Sequence, residues 1–141
     1  MATSEERSVI DVKWLMDMAA KVAYLIRTTG RFDRSQLFRL VEVLESTAGD
    51  KEALWATALF ALRQSKRRDQ EIPPNVATAI RDVLLSIAEK AEKEARELAR
   101  EFLGYLRWFF EASERIRLPR ARVEDVDAEW FLRQLGRKIL A

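Results

Sequence analysis

Apolar residues recur at helical spacing along almost the whole chain. From Val9 to Thr28, the positions Ile10, Trp14, Leu15, Met18, Ala19, Val22, Leu25 and Ile26 fall three or four apart, which predicts an amphipathic helix. Gly30 is the expected stop, since glycine accepts the left-handed backbone past a helix end. Asp33 or Ser35 is placed to cap the next helix, whose stripe is Leu37, Leu40, Val41 and Leu44. Ala48–Gly49–Asp50 closes it. Asp50 is the expected cap of a third helix through Leu54, Trp55, Ala58, Leu59 and Leu62, ending within the polar tract Ser65 to Glu71.

Pro73 and Pro74 then reset the chain, because proline suits a first helical turn rather than an interior. From Asn75 to about Ile116 the positions Val76, Ile80, Val83, Ile87, Ala91, Ala95, Leu98, Phe102, Tyr105, Phe109 and Ile116 continue the rhythm, interrupted only by Gly104. This predicts one long helix in the C-terminal half. Its centre, Glu89 to Glu97, carries only Ala as an apolar type, and a break near Lys93 or Gly104 is the alternative, since runs beyond about 25 residues are suspect. Pro119 ends the run. A last helix is expected over Val123 to Ile139, with Val126, Trp130, Phe131, Leu135 and Ile139 on one face and Gly136 weakening its final turn. No segment alternates at period two for long, and no Asn-Gly or Asp-Gly hairpin turn occurs. The expected fold is therefore all-α: a single bundle of five or six helices in one domain over residues 1–141. A subdivision near 69–75 would separate a three-helix N-terminal part from the long-helix part.

Composition narrows the chemistry. The 141 residues include no Cys and no His, which removes thiol nucleophiles, disulfides, imidazole bases and the usual zinc, haem and iron–sulfur ligand sets. Carboxylate, Ser, Lys and Mg²⁺ chemistry remain open in principle. No Gly-rich phosphate loop, H-E-x-x-H, calcium loop or nucleophile elbow is present. No cofactor and no metal are expected, and the protein reads as a binding or scaffolding protein rather than an enzyme. The polar start, Met1 to Arg7, lacks the features of a signal peptide. The longest apolar window, Leu54 to Leu62, falls far short of the ~20 residues that span a bilayer. A cytoplasmic protein without membrane contact is expected.

The acidic clusters have ordinary readings. Glu124, Asp125, Asp127 and Glu129 suit the first turn of the last helix. Glu89, Glu92, Glu94, Glu97 and Glu101 interleave with Lys90, Lys93, Arg96 and Arg100, giving opposite charges at i,i+4 on a solvated helix face. Thr28–Thr29–Gly30–Arg31 reads as a C-terminal cap before it reads as an anion site.

The formal net charge is only +2, but its distribution says more than the total. Basic residues gather in four groups: Arg27, Arg31 and Arg34; Arg63, Lys66, Arg67 and Arg68; Arg115, Arg117, Arg120 and Arg122; and Arg133, Arg137 and Lys138. Arg outnumbers Lys 18 to 7, and its planar fork grips phosphate oxygens bidentately. Brought together by folding, these groups would line a nucleic-acid contact that fixes position without reading sequence. Interspersed Arg and Glu also suit a heat-adapted surface. Aromatic residues crowd Phe102, Tyr105, Trp108, Phe109 and Phe110. Phe102, Tyr105 and Phe109 follow the apolar stripe. Trp108 and Phe110 point sideways, toward Trp130 and Phe131 of the last helix, into a patch for another subunit, or, as the third alternative, onto stacked bases. Trp108, Phe110 and Trp130 are the candidate partner contacts.

One resemblance gathers these features. A helical chain of this length without His or Cys resembles the small subunits of multi-subunit CRISPR effector complexes. The tract Ala23–Tyr24–Leu25–Ile26–Arg27–Thr28–Thr29–Gly30, leading into Ser35–Gln36–Leu37–Phe38–Arg39, is similar to the Thr/Ser-Gln-Leu/Ile-Arg signature of the type III-A small subunit. Here Phe38 separates Leu37 from Arg39. Phe102 to Ala112 is similar to that family's later aromatic segment, with Ser113–Glu114–Arg115 in place of its aromatic-His pair. The type I-A small subunit is similar through the Tyr24 to Gly30 region. The resemblance implies a non-catalytic subunit of an antiviral RNA-guided ribonucleoprotein, stacked with further copies of itself beside the other subunits and holding guide–target duplex or displaced strand. By that analogy Arg27, Arg31, Arg34, Arg39, Arg63, Arg67 and Arg68 would touch RNA or single-stranded DNA, and the basic grouping adds Lys66, Arg115 and Arg117. The alternative is a helical interaction module or phage-type regulator that binds a large machine such as RNA polymerase without touching nucleic acid.

Overall fold

A computed structural model describes residues 10–140, Arg31 and Glu92 excepted, with the side chains of 137–140 left aside. The fold is all-α. Six helices follow one another: α1 (Val12–Thr29), α2 (Arg34–Ser46), α3 (Asp50–Lys66), α4 (Pro74–Lys90), α5 (Ala95–Ala112) and α6 (Ala128–Leu140), with a 3₁₀ turn at Val123–Asp125 before the last. No strand occurs among the described residues.

Each boundary has a local cause. Asp11 caps α1 by accepting a hydrogen bond from the Trp14 N–H at 2.8 Å, and Gly30 ends it in the left-handed conformation (φ 72°), its N–H returning to the Ile26 carbonyl. The Thr28 and Thr29 hydroxyls donate to the Leu25 and Ile26 carbonyls, so this stretch serves the helix end. Asp33 caps α2. The expected cap Asp50 is instead the first residue of α3, after Gly49 at φ 86°. Its carboxylate pairs with Arg96 at 3.2 Å. Pro74 opens α4, as proline at a first turn should.

The long helix expected over Asn75 to Ile116 is two helices. The first ends at Lys90 and the second begins at Ala95, so the chain breaks near Lys93, as the alternative had it, where the apolar stripe is thinnest. Among the described residues none of the i,i+4 pairs expected there forms, and Arg96 and Arg100 contact another part of the bundle. Arg96 donates to the Leu44 carbonyl and, at 2.7 Å, to the Thr47 carbonyl, and Arg100 grips Glu45 at 2.8 Å. These guanidinium groups complement the carbonyl-rich C-terminus of α2 and pin the start of α5 beside it. The last helix also starts later than its pattern suggested. Asp127 accepts from the Trp130 N–H and Asp17 of α1 accepts from the Ala128 N–H, while Glu124 and Asp125 belong to the 3₁₀ turn.

Packing is closest between α3 and α4 and between α1 and α5, with α2 on α3 and α6 on α1. Small residues line these seams: Ala19, Ala20 and Ala23 on α1, Ala53, Ala58 and Ala61 on α3, Ala95 and Ala99 on α5. Short side chains let the helix axes approach closely. Phe102, Phe131, Leu15, Ile26, Leu40, Leu54, Ile80 and Leu84 fill the remaining space, each contributing about 1.5–3 kcal/mol by burial. No described helix is long and apolar enough to cross a membrane.

Candidate functional site

The up-and-down course of the chain brings the ends of α1, α3 and α5 to the same end of the bundle as the starts of α2 and α4. Four contacts fix this. Arg27 of α1 reaches Phe110 and Ser113 at the end of α5. Arg34 of α2 lies 3.2 Å from Glu111 and 3.6 Å from Glu114. Gln36 of α2 meets Gln64 of α3 at 3.1 Å. Glu71, just before α4, accepts from both glutamines. Arg27, Arg34, Arg39, Arg63, Lys66, Arg67, Arg68, Arg115 and Arg117 all lie on segments at this end. Arg31 lies outside the described residues.

These cations fall into two classes. Arg34 is paired with Glu111 and Glu114, while Arg39 and Arg67 share Glu71 at 3.4 and 3.9 Å. Arg63, Lys66, Arg68, Arg115, Arg117 and Arg120 are exposed and have no carboxylate partner among the described residues. Of the fourth basic group, Arg133 is paired with Glu129 on its own helix. Arg137 and Lys138 lie beyond the described side chains.

Arg27 is different again. Its Nε donates to the Ser113 hydroxyl at 2.8 Å, a terminal nitrogen donates to the Phe110 carbonyl, and the guanidinium lies 4.4 Å over the Phe110 ring. Partial burial lowers its pKa from the ordinary arginine value, against the opposing pull of Glu114. The group keeps its charge and makes no ion pair among the described residues.

Beyond α5 the chain turns at Arg115, which adopts a left-handed backbone (φ 64°), and returns across α1 as a strap over 115–127. Lys21 donates to the carbonyls of Val123, Glu124 and Val126 at 3.2, 3.1 and 2.6 Å. The Tyr24 hydroxyl bonds both backbone groups of Ala121. Between strap and helix lies a cleft of about 460 Å³ lined by Tyr24, Arg27, Thr28, Ile116, Arg117, Leu118 and Arg120. It unites Arg27 and Arg117 from the predicted set and adds Arg120. The α3 group, Arg63 to Arg68, is not part of it.

A buried polar cluster underlies the same end. Gln64 is fully buried and Gln36 nearly so. Both amide nitrogens donate to one oxygen of Glu71, at 3.0 and 2.6 Å, and the Gln64 nitrogen also bonds the Gln36 oxygen. These contacts tie α2, α3 and the turn before α4 into one unit and hold Arg39 and Arg67 against Glu71.

The aromatic residues separate clearly. Phe110 is only 5% exposed, packed between Phe32 and Arg27. It belongs to the core and not to a surface patch, because the C-terminal turn of α5 rotates it toward α1. Trp130 is half-buried against Tyr24 and Phe131. Trp108 is 67% exposed and borders a small apolar groove with Met16, Tyr105, Phe109, Ala112, Leu132 and Leu135. Among the described residues no three Asp or Glu side chains come together as a metal site would need.

Sequence reasoning missed Lys21 and Tyr24 as holders of the strap. A single Lys within the otherwise apolar run Ala19–Ala20–Lys21–Val22–Ala23 is the signal that was available. Comparison with protein-family models, with curated proteins and with solved structures gives no match.

Proposed function

We propose that the protein is a non-catalytic nucleic-acid-binding subunit, holding RNA or single-stranded DNA by its phosphates within a larger ribonucleoprotein assembly of the RNA-guided type. The observation that carries this reading is the gathering of three separate arginine groups at one end of the bundle, with Arg63, Lys66, Arg68, Arg115, Arg117 and Arg120 lacking carboxylate partners among the described residues. Exposed guanidinium and ammonium groups left without local counter-charges suit phosphate contact. Ultraviolet cross-linking to single-stranded RNA, followed by peptide mapping, tests it. Cross-links are expected within 27–39, 63–71 and 113–122. Their absence there, with cross-links elsewhere or none at all, would contradict the reading.

The second reading, a helical module that binds a large protein partner, draws on the exposed Trp108 and Leu132 beside their apolar groove. It predicts that Trp108→Ala abolishes partner capture while nucleic-acid binding is absent from the start.

A further inference from the structure

We infer that the cleft between α1 and the strap is a discrete binding site for a phosphomonoester, the group carried by a phosphorylated strand end or by a free nucleoside monophosphate. In its strand-end form this deepens the nucleic-acid reading and rests on it. The cleft itself stands on its own geometry.

Three features support the assignment. The cleft is lined by Arg27, Arg117 and Arg120 and by no acidic residue. The ion pairs nearby, Arg34 with Glu111 and Glu114 and Arg122 with Glu124, use none of the three. Second, Arg27 is partly buried yet bonded only to neutral oxygens, the Ser113 hydroxyl and the Phe110 carbonyl. A partly buried cation that hydrogen-bonds no carboxylate, with Glu114 acting on it only at a distance, is stabilised by a further anion. A dianion in the cleft supplies that charge. Third, the volume of about 460 Å³ falls within the range of small-ligand sites. Ile116 and Leu118 add an apolar part to the lining, which suits a sugar or base beside the phosphate.

A monoester fits this charge better than a diester. Near neutral pH it carries about two negative charges and three terminal oxygens, against one charge and two such oxygens on a chain phosphate. The two exposed forks of Arg117 and Arg120 match its two charges, and Arg27, its fork already bonded to Ser113 and Phe110, adds positive charge beside them. The surrounding helix ends do not supply this attraction, since α1 and α5 both present their C-termini here and those favour cations. The arginine side chains must provide it.

The wall is also held in place. Arg117 and Arg120 ride on the strap, whose position is set by Tyr24 at Ala121 and Lys21 at Val123, Glu124 and Val126. Lys21 and Tyr24 are therefore positioning residues for the two exposed arginines.

The test compares one single-stranded RNA with hydroxyls at both ends, the same strand phosphorylated at both ends, and AMP. Binding is measured for the wild-type protein, for Arg117→Gln/Arg120→Gln, and for Arg63→Gln/Lys66→Gln/Arg68→Gln, each checked for helicity by circular dichroism. The phosphorylated strand should bind about tenfold more tightly than the hydroxyl strand, the worth of one charge-assisted hydrogen bond. The strap variant should lose that preference and AMP should compete for it, while the α3 variant keeps the preference and weakens for both strands. Binding of AMP that the strap variant abolishes, with neither strand bound, would uphold the cleft and overturn the nucleic-acid reading. Equal binding of the two strands without measurable AMP binding would overturn the phosphomonoester site and leave the nucleic-acid reading standing. Binding of none of the three would overturn both.

Discussion

The Tyr24 hydroxyl satisfies both backbone groups of Ala121, donating to its carbonyl at 2.9 Å and accepting from its N–H at 2.8 Å. One side chain of α1 thus stands in for the hydrogen-bonded neighbour that the irregular strap lacks. Tyr24→Phe should cost about 1–3 kcal/mol, because it strands a partly buried donor and acceptor together. Urea denaturation measures the loss. Hydrogen exchange should accelerate at the Ala121 amide first, while the core amides of α3 and α4 exchange as before.

Arg27→Lys should destabilise the protein by about 2–3 kcal/mol, although the charge is kept. Lysine lacks the planar fork that bonds the Ser113 hydroxyl and the Phe110 carbonyl at once while stacking on the Phe110 ring. A denaturation midpoint within error of wild type would show that this contact contributes nothing.

Glu71 ties down Arg39 and Arg67 and accepts from two buried glutamines. Glu71→Gln keeps the shape but removes the charge. Two results are expected together: a stability loss of about 1–3 kcal/mol from weakened charge-assisted hydrogen bonds, and tighter nucleic-acid binding from the freed arginines. Binding isotherms on the purified variant check the second. A variant that loses stability and gains no affinity would limit these two arginines to a structural role.

At the opposite end the Arg100 guanidinium, hydrogen-bonded to Glu45, holds that carboxyl below its ordinary pKa. A carboxyl whose folded pKa is depressed adds stability above its unfolded value, and that stability is lost as pH falls through the folded value. Both groups are well exposed, so Glu45→Gln should cost less than about 1 kcal/mol at pH 7. The difference should shrink as pH falls below the unperturbed glutamate value of about 4.3, and in about 1 M salt. Thermal melts at pH 7 and pH 3 measure it.

The helices were legible where a breaker or a cap coincided with the end of an apolar stripe. Gly30, Asp33 and Pro74 mark ends or starts that both sequence and structure share. The break between Lys90 and Ala95 was less legible because alanine fits a packed seam and a bridging helix equally, and no Gly or Pro stands there. What fixes the start of α5 is tertiary: Arg96 and Arg100 find their partners on α2, just after it and at the start of α3, outside their own helix. The arginine groups could be counted from the sequence, but not sorted. Whether Arg34 has a carboxylate and Arg117 has none among the described residues depends on which residues the strap and α5 bring near them. Lys21 and Tyr24 escaped notice because their partners are main-chain atoms about a hundred positions away, and backbone acceptors leave no mark in composition.

The most direct measurement is the salt dependence of affinity for single-stranded RNA, comparing wild type with Arg63→Gln/Lys66→Gln/Arg68→Gln/Arg117→Gln. Each phosphate contact on a single strand contributes about 0.7 to the slope of log K against log salt. Weaker binding and a slope shallower by about 0.7 for each contact removed are the results predicted for a phosphate-holding basic end. Full affinity with an unchanged slope in the fourfold variant would contradict it.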